Sequence, residues 1–136
     1  MKPNALLATI FDDDCETPCA FVSVSTVASD KSRYEPVLKF IEKLNYNDFN
    51  GKAVAAFLRK NILAENKNGA IVDIRFGREY SPVLYLTISA YDFKKDKKLT
   101  DKEREKLGLR ILGRIKRELK PNELRLDGRV IRAWFD

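Results

Sequence analysis

Histidine is absent from this chain. Its absence removes Ser–His and Cys–His nucleophilic dyads, histidine-ligated zinc and any histidine-based pH switch. Cysteine is scarce. The two thiols, Cys15 and Cys19, stand in Cys-Glu-Thr-Pro-Cys. Two ligands do not complete a four-ligand zinc site, and the spacing is not the Cys-x-x-Cys of a redox motif. They read as two reduced thiols beside a loop. The aspartates at 12–14 and Glu16 could add ligands only to a half-site, and they lack the spacing of a calcium-binding EF-hand loop. No apolar run approaches the ~20 residues that cross a bilayer, and the N-terminal stretch does not read as a signal peptide. The expectation is a cytoplasmic protein without a membrane partner.

Phosphate-cradling glycine motifs are missing as well. The chain holds no Gly-x-x-x-x-Gly-Lys-Ser/Thr, no Gly-x-Gly-x-x-Gly and no Gly-x-Ser-x-Gly. Nothing in it therefore predicts a cofactor. The strongest enzymatic alternative is a metal-dependent nuclease using Asp73 and the triplet Asp92-Phe93-Lys94. In an antiparallel hairpin Asp73 falls opposite about Leu86, which leaves Asp92 roughly 20 Å away at strand rise, too far to share a metal. The sequence reading is therefore non-enzymatic, with no catalytic and no metal-ligating residue assigned.

What the chain does have is charge, unevenly spread. Its net charge is +6 over 136 residues, a length that suits a single domain, 1–136, with its own core. Residues 1–30 are acidic. Residues 94–120 hold twelve Lys/Arg against five Asp/Glu. An acidic start and a basic later part suggest a dipolar molecule that orients on a charged partner or pairs with a second copy as a homodimer.

Periodicity predicts nine elements in the order ββααββαββ. Strands at 5–11 and 19–27 form a first hairpin. A helix follows the capping-box spacing of Ser32 and Glu35, with Tyr34, Val37, Leu38, Ile41 and Leu44 as its stripe. After an Asn-rich break at 45–51, a second helix covers 52–65. Strands at 70–76 and 83–91 form a second hairpin through 77–82. Here Ile71, Asp73, Arg75, Val83, Tyr85 and Tyr91 take the face away from the core. Residues 93–99 read as a lysine-rich linker. A capping-box pair, Thr100 and Glu103, opens a long helix that Pro121 ends. Asp127-Gly128 predicts a two-residue turn closing a third hairpin, with Leu124 opposite Ile131. The fold class is α+β, a mainly antiparallel sheet of three hairpins with helices packed on one face.

The long helix carries the functional argument. At 100° per residue, Ile111, Leu112, Ile115 and Leu119 share one arc, with Leu107 beside it. Lys102, Lys106, Arg110, Arg114, Lys116, Arg117 and Lys120 share the opposite arc, with Glu103 its one acid. A solubilising face interleaves acids with bases, and this one does not. Guanidinium and ammonium groups on one face suit phosphates. Gly113 lies in that arc, where a missing side chain admits a phosphate close to the backbone. The candidate phosphate contacts are Lys94, Lys95, Lys102, Lys106, Arg110, Arg114, Arg117 and Arg132. Tyr85 and Trp134 are the stacking candidates, since aromatics beside cations hold single strands. These features predict nucleic-acid binding, RNA or single-stranded DNA before duplex. The alternative is an inhibitor, immunity or adaptor module whose basic helix docks on an acidic protein.

Overall fold

A computed structural model of the chain describes residues 22–25, 31–46, 48–63, 69–79 and 81–136. The predicted strand at 5–11, both cysteines and the acidic loop lie outside them. Strand β1 (Val22–Ser25) is followed by helix α1 (Lys31–Ile41). Two short strands, β2 (Asn45–Tyr46) and β3 (Phe49–Asn50), pair with each other and lead into helix α2 (Gly51–Leu58). That helix loosens into a π-helical turn, Arg59–Leu63. Then come β4 (Ile71–Glu79), β5 (Ser81–Ile88), and a second short pair, β6 (Tyr91–Asp92) and β7 (Lys97–Lys98). Helix α3 (Asp101–Glu118), β8 (Glu123–Asp127) and β9 (Val130–Trp134) complete the chain.

The fold is α+β. Five strands form one antiparallel sheet in the order β1-β4-β5-β9-β8. Its inward face carries Ile74, Phe76, Leu84, Leu86, Ile88, Ile131 and Ala133, all buried. These side chains join Leu38 and Ile41 of α1, Val54 and Leu58 of α2, and Ile111 and Ile115 of α3 in one hydrophobic cluster. Burying each of these side chains larger than alanine contributes about 1.5–3 kcal/mol, which makes this cluster the main source of stability. Arg59 ties α2 to α1 at the rim. Its guanidinium donates two bonds to the Glu35 carboxylate, Nε at 2.9 Å and Nη2 at 3.0 Å, and a third to Glu42. Glu35 therefore joins the helix pair, and α1 itself begins at Lys31, one residue before the predicted cap Ser32.

Several registers differ from the sequence reading. A β-bulge lies between Ile71 and Asp73, so Asp73 faces Thr87 and Ile74 faces Leu86. The extra residue turns Ile71 into the core, where it is fully buried, away from the outward face predicted for it. The β4–β5 turn is tighter than the predicted 77–82 loop, since Glu79 already pairs with Ser81. β5 ends at Ile88, and the predicted lysine-rich linker supplies the turn and the second strand of the β6–β7 hairpin. In the last hairpin Asp127 pairs with Val130, and Leu124 faces Ala133. The loop residues are therefore Gly128 and Arg129, one position later than predicted. Gly128 takes φ +57, as the first loop position of a II′ turn requires of glycine. Leu124 is displaced by two positions on its partner, an even number. Leu124, Leu126, Ile131, Ala133 and Phe135 therefore keep the face assigned to them.

Candidate nucleic-acid interface

Helix α3 starts where its sequence dictates. The Thr100 hydroxyl accepts the Glu103 amide at 3.1 Å, and the Glu103 carboxylate accepts the Thr100 amide at 3.1 Å. This reciprocal cap satisfies two donors that the first turn leaves open. Those bonds, the Thr100 amide first and Lys97 second, hold the Glu103 carboxyl below the usual carboxylate range. At the far end Leu119 and Lys120 both donate to the Ile115 carbonyl, Lys120 turns to φ +49, and Pro121 stops the helix. Gly108, Ile111, Ile115 and Leu119 are buried against the sheet. Gly108 packs tightly against the sheet: a Cβ there would stand 2.8 Å from Leu126 Cδ2 and 3.2 Å from Ile88 Cδ1.

Phasing places the cationic arc outward. Lys102, Lys106, Arg110, Lys116, Arg117 and Lys120 are exposed. Lys102, Lys106 and Arg110 recur every fourth residue, ~6 Å apart along the axis. Among the described residues no ion pair joins them or Arg117. Arg114 is different. It is half-buried at the edge of the arc, and its Nη1 donates to Asn61 Oδ1 at 3.2 Å. Asn61 is itself buried in the π-helical turn and donates to the Phe57 carbonyl. Arg114 therefore braces α3 against α2.

The β6–β7 hairpin stands beside the first half of α3. Asp92 shapes it by accepting the Lys94 and Lys95 amides, each at 3.0 Å, on one oxygen. The Phe93 amide donates to the Gly69 carbonyl at 3.1 Å, which anchors the turn to the start of β4. Gly69 has no space for a side chain: a Cβ would stand 2.4 Å from Asp92 Oδ1 and 2.6 Å from the Lys94 amide nitrogen. The Tyr91 hydroxyl donates to Asp96, which tolerates φ +51. Phe93 is 50% exposed and meets the Tyr91 ring edge-on at 5.1 Å.

Between hairpin and helix lies a cleft of about 580 Å³. Lys95, Lys97, Lys106 and Arg110 line it, with Leu99 and Leu107 as its apolar part and Asp92 and Glu103 as its acids. Lys97 is bound to Glu103 at 3.0 Å. The predicted residues Lys95, Lys106 and Arg110 thus share one cleft. Lys94 is exposed on the adjoining turn, and Lys102 and Arg117 continue the cationic strip along α3.

Tyr85, Trp134 and Arg132 are placed elsewhere. They alternate with the core residues of β5 and β9 and so take the opposite face of the sheet from α3. Across that face Arg75, Tyr85, Arg132 and Arg125 lie in one row. Each arginine is matched by a carboxylate: Arg75 with Asp73 at 3.1 Å, Arg132 with Glu123 at 3.3 Å and Arg125 with Asp127 at 2.9 Å. Burial pushes the Asp73 carboxyl above the usual range, opposed by Arg75. The Arg132 side chain is only 12% exposed. The helix and the sheet aromatics therefore do not form one continuous surface. Sequence reasoning missed Lys97 and exposed Phe93 because residues 93–99 read as a linker, and missed Gly69 because it read only as a turn residue ending the second helix. The alternation Tyr91-x-Phe93 before paired lysines was the available signal for a short hairpin.

Among the described residues no group of acidic, cysteine or histidine side chains is placed to hold a metal ion, and no helix is long and apolar enough to cross a membrane. Comparison with protein-family models, curated proteins and solved structures gives no match for this chain.

Proposed function

We propose that this protein binds single-stranded nucleic acid, RNA or DNA, without catalysing a reaction on it. The ligand lies on the outward face of α3 and against the β6–β7 hairpin. Lys102, Lys106, Arg110 and Arg117 neutralise phosphates, and Lys94 and Lys95 add charge from the hairpin. Phe93, exposed beside these lysines, offers a ring to a base. One observation carries the reading: two separate elements, a hairpin and a helix, converge their cations on one cleft, while their acids are held in local bonds. Asp92 caps the hairpin turn and Asp73 is the partner of Arg75, and neither is assigned as a metal ligand.

Fluorescence anisotropy with labelled single-stranded RNA, single-stranded DNA and duplex DNA, titrated between about 50 and 200 mM salt, tests this. Neutralising about four phosphates on a single strand predicts a log–log salt slope near −3. Removing the Lys106 and Arg110 charges together should shallow that slope by about 1.4. Phe93→Ala should weaken binding with little change of slope, and Arg125→Ala on the opposite sheet face should leave it unaltered. Absence of binding to all three probes at the lowest salt, with tight capture of an acidic protein instead, would replace this reading by that of a protein-docking module.

A further inference from the structure

Resting on the nucleic-acid reading, we infer that the cleft between the β6–β7 hairpin and α3 seats a terminal phosphate monoester, of a strand end or a free nucleotide, and not an internal phosphodiester. Three observations lead there. The first is charge. Four cations face two carboxylates, which leaves the cleft with two net positive charges. A monoester carries about −1.5 to −2 at neutral pH, against −1 for an internal diester. The second is donor availability. Glu103 is committed to the Thr100 amide and Lys97, and Asp92 to the Lys94 and Lys95 amides. Lys95, Lys106 and Arg110 are the cations left to surround an anion, one from the hairpin and two from the helix.

The third is shape. The rest of the α3 strip is a convex helix face, which fits a backbone passing over it. The cleft is concave, at about 580 Å³ larger than one phosphate needs and within the ~300–1,000 Å³ of small-ligand sites. Leu99 and Leu107 give it an apolar wall on which the attached sugar and base rest. A strand whose end is seated here continues along α3 past Gly113 toward Arg117. The site thus sets a direction on an otherwise sequence-neutral surface.

The test compares one oligonucleotide carrying a 5′-phosphate, a 3′-phosphate or hydroxyls at both ends, with a nucleoside monophosphate as competitor. One phosphorylated form should bind about three- to tenfold more tightly than the hydroxyl form, as charge-assisted contacts to a dianion imply. That advantage should fade as pH falls through the monoester's second pKa, near about 6. Lys95→Ala with Lys106→Ala should abolish the advantage, whereas Arg117→Ala should weaken all forms by one common factor. Equal affinity of all three forms would overturn this inference and leave general single-strand binding standing. Binding of the monophosphate without binding of any oligonucleotide would support the seat and overturn the polynucleotide reading.

Discussion

Reversing one charge on α3, Arg110→Glu, should make the protein more stable and less able to bind. Arg110 is exposed at the middle of the helix, away from both dipole ends. Its neighbours one turn away are Lys106 and Arg114, both cationic. Each like-charge pair at this spacing costs about 0.2–0.5 kcal/mol, and each opposite pair contributes a similar amount. The substitution removes two repulsions and creates two attractions. The introduced carboxylate would also precede Arg114 by four residues, the better orientation. Arg114 is already held by Asn61, so its share is reduced, and the net gain should be about 0.5–1 kcal/mol. Arg and Glu have similar helix propensity, so that term nearly cancels. The midpoint of thermal unfolding should rise by about 2–5 °C. Meanwhile the cleft would lose both net positive charges, and affinity for a single strand at low salt should fall more than about tenfold. Urea unfolding followed by Trp134 fluorescence measures the first effect, and anisotropy the second. Repeating the unfolding in about 1 M salt, where the screening length is about 3 Å, should erase most of the gain. A loss of stability, or a gain indifferent to salt, would show that Arg110 packs against the hairpin and that the cationic strip is not self-repelling.

Gly69→Ala should lower the urea midpoint, at a cost of about 1–3 kcal/mol from overpacking, because the new methyl meets Asp92 and the Lys94 amide. The displaced hairpin should also weaken nucleic-acid binding. Gly113→Ala should instead stabilise by about 0.5–1 kcal/mol, since the nearest atom, Arg117 Nη1, lies at an ordinary 3.6 Å; a loss of binding there would mean that a phosphate needs the bare backbone. Glu103→Gln keeps a capping side chain but releases Lys97 into the cleft, so binding should tighten a few-fold at low salt. Because the Glu103 carboxyl is held below its ordinary 4.5, its stabilisation is present above that pH and lost as pH falls through the lowered value. The variant should lack that acid-dependent component in a pH series of urea midpoints. Asp73→Asn works in the other direction. Burial raises the Asp73 pKa above 3.8, so its charged form is penalised as pH rises through the raised value. The variant's gain in stability should appear at neutral pH and vanish below about pH 3.8.

The long helix was legible because three signals agree on it: a capping box at its start, an apolar stripe at period 3.6, and Pro121 after its end. The faces of the sheet were legible for the same kind of reason, since alternation sets which side chains point inward. What alternation does not reveal is a bulge. The extra residue between Ile71 and Asp73 changes no composition, yet it moves Ile71 to the opposite face. The β6–β7 hairpin was hidden because four lysines in 94–98 resemble solvated linker, and each of its strands is two residues long. One contact that anchors it, the Phe93 amide to the Gly69 carbonyl, comes from outside the segment. The cleft was invisible for the same reason: its two walls are separate in sequence, and only their packing relation brings Lys95 near Arg110. Gly108 and Gly113 show the limit at single residues. Both are helical glycines, and the sequence drew attention to Gly113. The buried contact with the sheet falls at Gly108, inside the apolar arc.

Two faces of this molecule carry arginine, and the difference between them bears on which one meets a ligand. On the outer sheet face the cations come with their own anions, Arg75 with Asp73, Arg132 with Glu123, Arg125 with Asp127. An incoming phosphate would have to displace a carboxylate already in place, and the exchange gains little because one anion replaces another. On α3 the exposed cations sit at like-charged spacing, and the one acid within their arc, Glu103, is held by the Thr100 amide and Lys97. Arg104, near the buried arc, takes Asp101 at 2.7 Å, and Lys97 takes Glu103 at 3.0 Å. The strip left over repels itself, a standing cost of about a few tenths of a kcal/mol per pair. On the reading proposed above, a polyanion arriving at the strip would relieve that cost, and the relief would add to the binding free energy. A phosphate would therefore gain more on the self-repelling strip of α3 than on the row of paired arginines.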